Sequence, residues 1–170
     1  ANDQPHVFIA SSGEAVNVTE EMATALAHDA TVKSWTNRTT FYPGEPPLQG
    51  LERTIQACDF AIICAEPDDS VTSRGEETFA PRDNVIFELG YAIAALGAKR
   101  CFLVTPRHPR VKLPSDYNGI TSINYDAPSN SQNLSSALSS ALFPAIAKIR
   151  RFIKDFGVRR VVRAQARPSP

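Results

Sequence analysis

Apolar residues in this chain fall into short unbroken runs, separated by stretches in which they recur every three or four positions. From His6, the run Val7-Phe8-Ile9-Ala10 predicts a strand that ends in Ser11-Ser12-Gly13, ahead of a helix carrying Val18, Met22 and Leu26. A second strand is expected at Thr31-Val32-Lys33-Ser34-Trp35, followed by a loop containing Pro43-Gly44-Glu45-Pro46-Pro47. The prolines hand over to a helix with Leu48, Leu51 and Ile55 on one face, since proline is tolerated in a helix's first turn. Phe60-Ala61-Ile62-Ile63-Cys64-Ala65 has no polar alternation, the pattern of a strand covered on both faces, so it should lie mid-sheet.

Residues 66–83 show little hydrophobic pattern and are expected to form a long loop with a binding or lid role, because connections in such folds are usually about 4–6 residues. A helix follows over Asn84 to Leu96, then the apolar strand Cys101-Phe102-Leu103-Val104, a loop with Pro106, Pro109 and Pro114, and a weaker strand around Ile120 to Asn124. Leu134, Leu138, Ala141 and Leu142 fit a last helix. Pro144 should end or kink it before a second amphipathic piece with Ile149, Ile153 and Phe156, so one bent helix and two helices both remain open. Strands alternating with helices predict an α/β fold: a parallel sheet with helices on both faces and a ligand site at the carboxyl ends of the strands.

The chain has 170 residues, which suits one domain. We place it at residues 6–157, with 158–170 as a basic tail or linker. No run approaches the ~20 apolar residues of a membrane span. Ala1 to Pro5 contain no basic segment leading into an apolar stretch, so no signal peptide and a cytoplasmic location are expected. The formal net charge of zero conceals a basic end containing Lys148, Arg150, Arg151, Lys154, Arg159, Arg160, Arg163 and Arg167. We read it as a solvated helix face running into a linker, in preference to a nucleic-acid surface. Cys58, Cys64 and Cys101 form no C-x-x-C pair and read as reduced core thiols, and the scattered His6, His28 and His108 offer no zinc spacing.

On a wheel of ~100° per residue, Val85, Leu89, Ala92, Ile93 and Leu96 form one buried arc, with Glu88 at its margin beside the small Ala92 and Ala95. Glu88 therefore overlooks a shallow gap near the end of the sheet where α/β ligands sit. The plainer reading is a carboxylate favoured by the helix dipole. Ser11, Ser12 and Gly13 could receive a phosphate or a ribose hydroxyl, although such residues also simply suit a tight strand-to-helix turn. Neither G-x-G-x-x-G nor G-x-x-x-x-G-K-[ST] is present. Trp35, Phe41 and Tyr42 offer rings that could stack on a base, and Arg38, Arg74 and Arg82 could meet a pyrophosphate.

The segment Arg82-Asp83-Asn84-Val85-Ile86-Phe87-Glu88-Leu89-Gly90 resembles the signature of the prokaryotic TIR-like family, which includes TIR effectors of cyclic-nucleotide-activated antiphage systems. Asp59-Phe60-Ala61-Ile62-Ile63 with Pro67-Asp68-Asp69, and Leu113-Pro114-Ser115-Asp116-Tyr117-Asn118-Gly119-Ile120, agree in type and order. The resemblance runs from about Val7 to Tyr125. It implies a flavodoxin-like TIR fold with five parallel strands, NAD+ as substrate with no cofactor or metal, and a catalytic glutamate at Glu88. It further implies homotypic assembly through the loop Trp35 to Pro47, which helps complete the active site, and a fused sensor domain that binds a cyclic nucleotide. Many relatives carry a Gly-Arg pair after the first strand, where this chain has Ser11-Ser12-Gly13. Ser11, Ser12, Trp35, Phe41 and Arg82 are the substrate contacts this reading nominates.

One carboxylate is enough for that chemistry. A glycosidase needs two because its alkoxide leaving group must be protonated, whereas the pyridinium of NAD+ departs as neutral nicotinamide. Two other readings stand beside this one: a non-catalytic self-associating TIR module, and a nucleoside deoxyribosyltransferase-like enzyme that also uses a glutamate at an N-glycosidic bond. A receiver domain is excluded, because Cys64-Ala65 runs into Glu66 where an aspartate would be needed.

Overall fold

In a computed structural model, residues 4–35, 42–117, 119–129 and 133–160 are described. The apolar runs become the strands β1 (His6–Ser11), β3 (Phe60–Cys64) and β6 (Cys101–Pro106), flanked by β2 (Thr31–Ser34) and β7 (Thr121–Tyr125). These five form one parallel sheet in the order β2-β1-β3-β6-β7, with Ile9 level with Ile62 and Phe8 level with Lys33. The expected five-stranded α/β fold is thus present. Successive strands leave β1 in opposite directions, which puts the switch in strand order at β1 and β3.

Strand alternation sorts the core into two layers. Val7, Ile9, Phe60, Ile62, Phe102 and Val104 face α1 (Val16–Leu26) and α4 (Leu134–Phe156), meeting Met22, Leu26, Leu142 and Ile149. Phe8, Ala10, Ala61, Ile63 and Leu103 face α2 (Pro47–Gln56) and α3 (Asp83–Leu96), meeting Leu51, Ile55, Val85, Leu89 and Ala92. Each large side chain so buried contributes roughly 1.5–3 kcal/mol. Cys58, Cys64 and Cys101 are free and buried, and burial pushes each thiol up to about 12, which makes them inert core residues.

The loop expected over residues 66–83 is corrected. It contains a β-hairpin, β4 (Asp69–Ser73) paired antiparallel with β5 (Glu76–Ala80). Arg74 and Gly75 both take positive φ, 54° and 82°, the requirement of a two-residue hairpin turn that matches strand twist. The hairpin is largely solvated, so its strands carry no apolar stripe to betray them. It is tied down where Phe79 bridges Val111 and the Lys112 N–H donates to the Phe79 carbonyl at 2.7 Å.

The alternative left open at Pro144 resolves to a single helix. Pro144 and Phe143 lie on the exposed side of α4, while Leu138, Leu142, Ala145, Ile146, Ile149 and Ile153 form an uninterrupted buried face. The hydrogen bond that proline removes is lost where water can replace it, and packing holds the rest. Beyond α4, Val158 to Arg160 continue along the domain, whereas residues 161–170 lie outside the described residues.

Candidate active site

Helix α3 begins at the carboxyl end of the sheet and runs back beneath it, so Glu88, in its second turn, lies near the strand tips beside the switch point. The side chain is buried, with only 5% of its surface exposed, in the company of Val85, Leu89 and Ala92. Burial pushes its carboxyl up to about 7, and a hydrogen bond from the Trp35 side chain offsets part of that rise. The Oε2 atom is buried without a hydrogen-bond partner. An unsatisfied carboxylate oxygen in such a place is unusual, because leaving a buried acceptor unmade costs about 1–3 kcal/mol or more.

Ser12 presents the same anomaly. It is 1% exposed, and its hydroxyl has no hydrogen-bond partner. It follows β1 in the parity of Phe8 and Ala10, which places it on the α3 side of the sheet with Glu88. Ser11 has the opposite parity. Its hydroxyl accepts from Thr19 at 2.8 Å and donates to the Ser12 carbonyl at 3.0 Å, so it knits β1 to α1 on the far face and is not brought to Glu88.

Trp35 sits one residue past β2. Its backbone N–H donates to the Ile9 carbonyl at 2.8 Å, and its ring tilts against Phe8 with centroids 5.9 Å apart. Arg82 is exposed and precedes α3 in extended conformation, about 9 Å along the axis from Glu88 at 1.5 Å per residue, so it stands at the rim. Phe41 and Arg38 lie outside the described residues. Ser12 therefore lies on the same side of the sheet as Glu88 and Trp35, with Arg82 at the start of α3.

The pairing of Trp35 with Glu88 had no local signal, because it joins residues far apart in sequence. Neither did Glu66, a half-buried carboxylate at the strand tips. It lies on the opposite face, accepts from the Tyr125 hydroxyl at 2.5 Å, and is raised by burial. Tyr117 stands in the sequence only within the stretch Leu113 to Ile120. Its hydroxyl donates to the Ile86 carbonyl at 3.0 Å, and a Cβ at Gly90 would meet that hydroxyl at 3.0 Å. The glycine after Glu88-Leu89 thus lets the β6–β7 loop close on α3.

Roomy cavities lie elsewhere. One of about 720 Å³ opens between β5 and the β6–β7 loop, past Tyr117, and one of about 800 Å³ lies by Pro5, Asp29 and Arg151. Neither is lined by Glu88.

A flavodoxin-order sheet with a buried glutamate at its switch point is an α/β architecture of the TIR type. Residues 6–127 match the family described as CAP12/Pycsar effector protein, TIR domain, and the chain belongs to that family. It is 42% identical over 158 residues to the Pycsar effector protein PaPycTIR of Pseudomonas aeruginosa, covering 92% of this chain and 50% of that one. It is 44% identical over 119 residues to the Pycsar effector protein BcPycTIR of Burkholderia cepacia, covering 70% and 39%. With CD-NTase-associated protein 12 of Sphingobacterium faecium the identity is 32% over 127 residues, covering 75% and 38%. The chain spans half or less of the length of these relatives.

Proposed function

We propose that this chain is the NAD+-cleaving domain of an antiphage effector, with Glu88 as the catalytic carboxylate. The observation that supports it most is the pair of buried, unpartnered oxygens, Glu88 Oε2 and Ser12 Oγ, on one side of the sheet at the strand tips. Native folds pair nearly all such groups, and a bound substrate is one partner that would complete these two. In this reading the Glu88 anion stabilises positive charge at the ribosyl carbon as nicotinamide leaves, and Ser12 bonds a ribose hydroxyl. No general acid is needed, since the leaving group departs neutral.

Hydrolysis gives ADP-ribose, and interception of the ribosyl centre by the adenine gives a cyclic product. Arg82 and the rings of the loop Trp35 to Pro47 serve the remainder of the dinucleotide. That loop also carries homotypic assembly, which switches the site on, and a cyclic-nucleotide sensor in the longer protein drives the assembly. The setting is cytoplasmic. Among the described residues no helix is long and apolar enough to cross a membrane.

The experiment is nicotinamide release from NAD+ by concentrated protein, wild type against Glu88→Gln, an exchange that removes the charge with little change of shape. Loss of at least about 10²-fold is expected, the order seen when one transition-state charge partner is removed. An unimpaired glutamine variant would end the proposal. Transfer of deoxyribose between free bases with NAD+ untouched would move the assignment to a deoxyribosyltransferase, and no turnover of either kind in an assembled sample would leave a self-associating module.

A further inference from the structure

Two contacts bracket Glu88 along its own helix. The Tyr117 hydroxyl donates to the Ile86 carbonyl at 3.0 Å, two residues before the carboxylate, and a Cβ at Gly90, two residues after it, would stand 3.0 Å from the same oxygen. At about 100° per residue, positions 86 and 90 share a side of α3 that is turned away from Glu88. The hydroxyl therefore meets that turn from behind the carboxylate. A backbone carbonyl has two lone pairs, so the bond adds to the helix without breaking its ladder.

Tyr117 reaches this place on a loop that is itself held. It closes the 3-10 turn Ser115–Tyr117, its N–H donates to the Pro114 carbonyl at 3.2 Å, and its own carbonyl accepts from the Ile120 N–H at 3.3 Å. Leu113 and Ile120 pack with its ring on the α3-side core. The ring also lines the cavity of about 720 Å³ under the loop, so open space borders part of it. The hydroxyl bond and the notch left by Gly90 are then what seat the ring's end on α3, and a helix-interior glycine leaves that notch at a cost in helix stability.

We propose that Tyr117 is a positioning residue for Glu88: its hydroxyl, seated in the notch at Gly90 and bonded to the Ile86 carbonyl, braces the turn of α3 that carries the carboxylate. This rests on the NAD+-cleaving reading of the site. A catalytic group must be held to within a fraction of an ångström by its support, and a misplacement of about 1 Å can cost 10²-fold in rate.

Two variants disturb the brace by different routes. Tyr117→Phe keeps the ring and deletes the donor, whereas Gly90→Ala crowds the hydroxyl while favouring the helix. In assembled samples Tyr117→Phe should lower kcat for NAD+ cleavage about tenfold, and Gly90→Ala by less, with KM within about twofold in both. Gly90→Ala should melt no lower than wild type, so its loss of rate cannot be read as a loss of fold. Among the described residues nothing else outside the helix stands within 4 Å of that Cβ, so the double variant should match Tyr117→Phe alone. The amides of Glu88, Leu89 and Gly90 should exchange about threefold to tenfold faster in Tyr117→Phe, the scale of one neutral hydrogen bond. An unchanged kcat in Tyr117→Phe beside an inactive Glu88→Gln would overturn the positioning role alone. Losses that multiply in the double variant and follow its melting temperature would make the contact merely structural and refute it as well. If the wild type never cleaves NAD+, the functional reading fails, and the exchange rates still decide whether Tyr117 braces the turn.

Discussion

Burial holds the Glu88 carboxyl at about 7, so near neutrality the folded chain carries it roughly half ionised, and the anion is the form the chemistry needs. The profile of kcat/KM against pH, which reports the free enzyme, should therefore rise to a plateau above about 7. The profile of kcat should sit at lower pH, because a bound pyridinium cation favours the carboxylate. Stability should move the other way. The native state holds this proton more tightly than the unfolded chain does, so the group's contribution is complete below the ordinary carboxylate range and is lost as pH rises through about 7. Glu88→Gln, neutral throughout, escapes that loss. Denaturant unfolding should find the variant more stable than wild type by roughly 3 kcal/mol at pH 8 and nearly equal to it at pH 4. An equal difference at both values would show that ionisation of Glu88 costs the fold nothing.

The loop after β2 is where element-scale structure meets function. Its described half is built as a turn: Pro43 and Gly44 occupy the centre, Gly44 at φ 79°, and the Glu45 N–H donates to the Tyr42 carbonyl at 3.0 Å. Arg53 of α2 then pins it, bonding Glu45 at 2.8 Å and lying 4.0 Å over the Tyr42 ring. The Arg53 bond is the largest cause holding the Glu45 carboxyl down at about 2. Arg53→Ala should release both partners. Glu45 should then titrate much nearer the ordinary carboxylate range, and the amides of Tyr42, Gly44 and Glu45 should exchange faster, with the melting temperature nearly unchanged. An unaltered Glu45 titration would mean that the turn itself, and not Arg53, holds the carboxylate.

Sequence pattern carried the sheet further than the site. β1, β3 and β6 were legible because strands covered on both faces are apolar without a break, and α3 because its buried arc has helical spacing. The β4–β5 hairpin was hidden for the converse reason, being solvated. Ser11 and Ser12 look alike in sequence, and only strand parity separates the one bonded to Thr19 from the one left open beside α3. Glu88 was legible as a carboxylate on the edge of an apolar arc, whereas the influence of Trp35 on it joins residues far apart in sequence, which no window of local pattern contains.

Across the whole molecule, α3 links two poles. At the amino end of the sheet, the Asp59 carboxylate accepts from the His6 N–H at 2.8 Å and the Arg159 N–H at 2.7 Å. Arg100 donates to the Phe156 and Gly157 carbonyls, and Arg159 donates to Gln56 and to Ala95, near the end of α3. Helix α3 is therefore clamped at one end and packed on β1, β3 and β6 along its length. Glu88 is 5% exposed, and in our functional reading a neighbour's copy of the loop Trp35 to Pro47 helps to complete the site around it. Turnover per chain should then be nearly nil in dilute solution and climb more steeply than in proportion to concentration, tracking the assembled fraction measured by sedimentation on the same samples. Turnover per chain that stays constant down to concentrations where only monomer sediments would mean that the gap opens by itself, and that assembly has no part in completing the site.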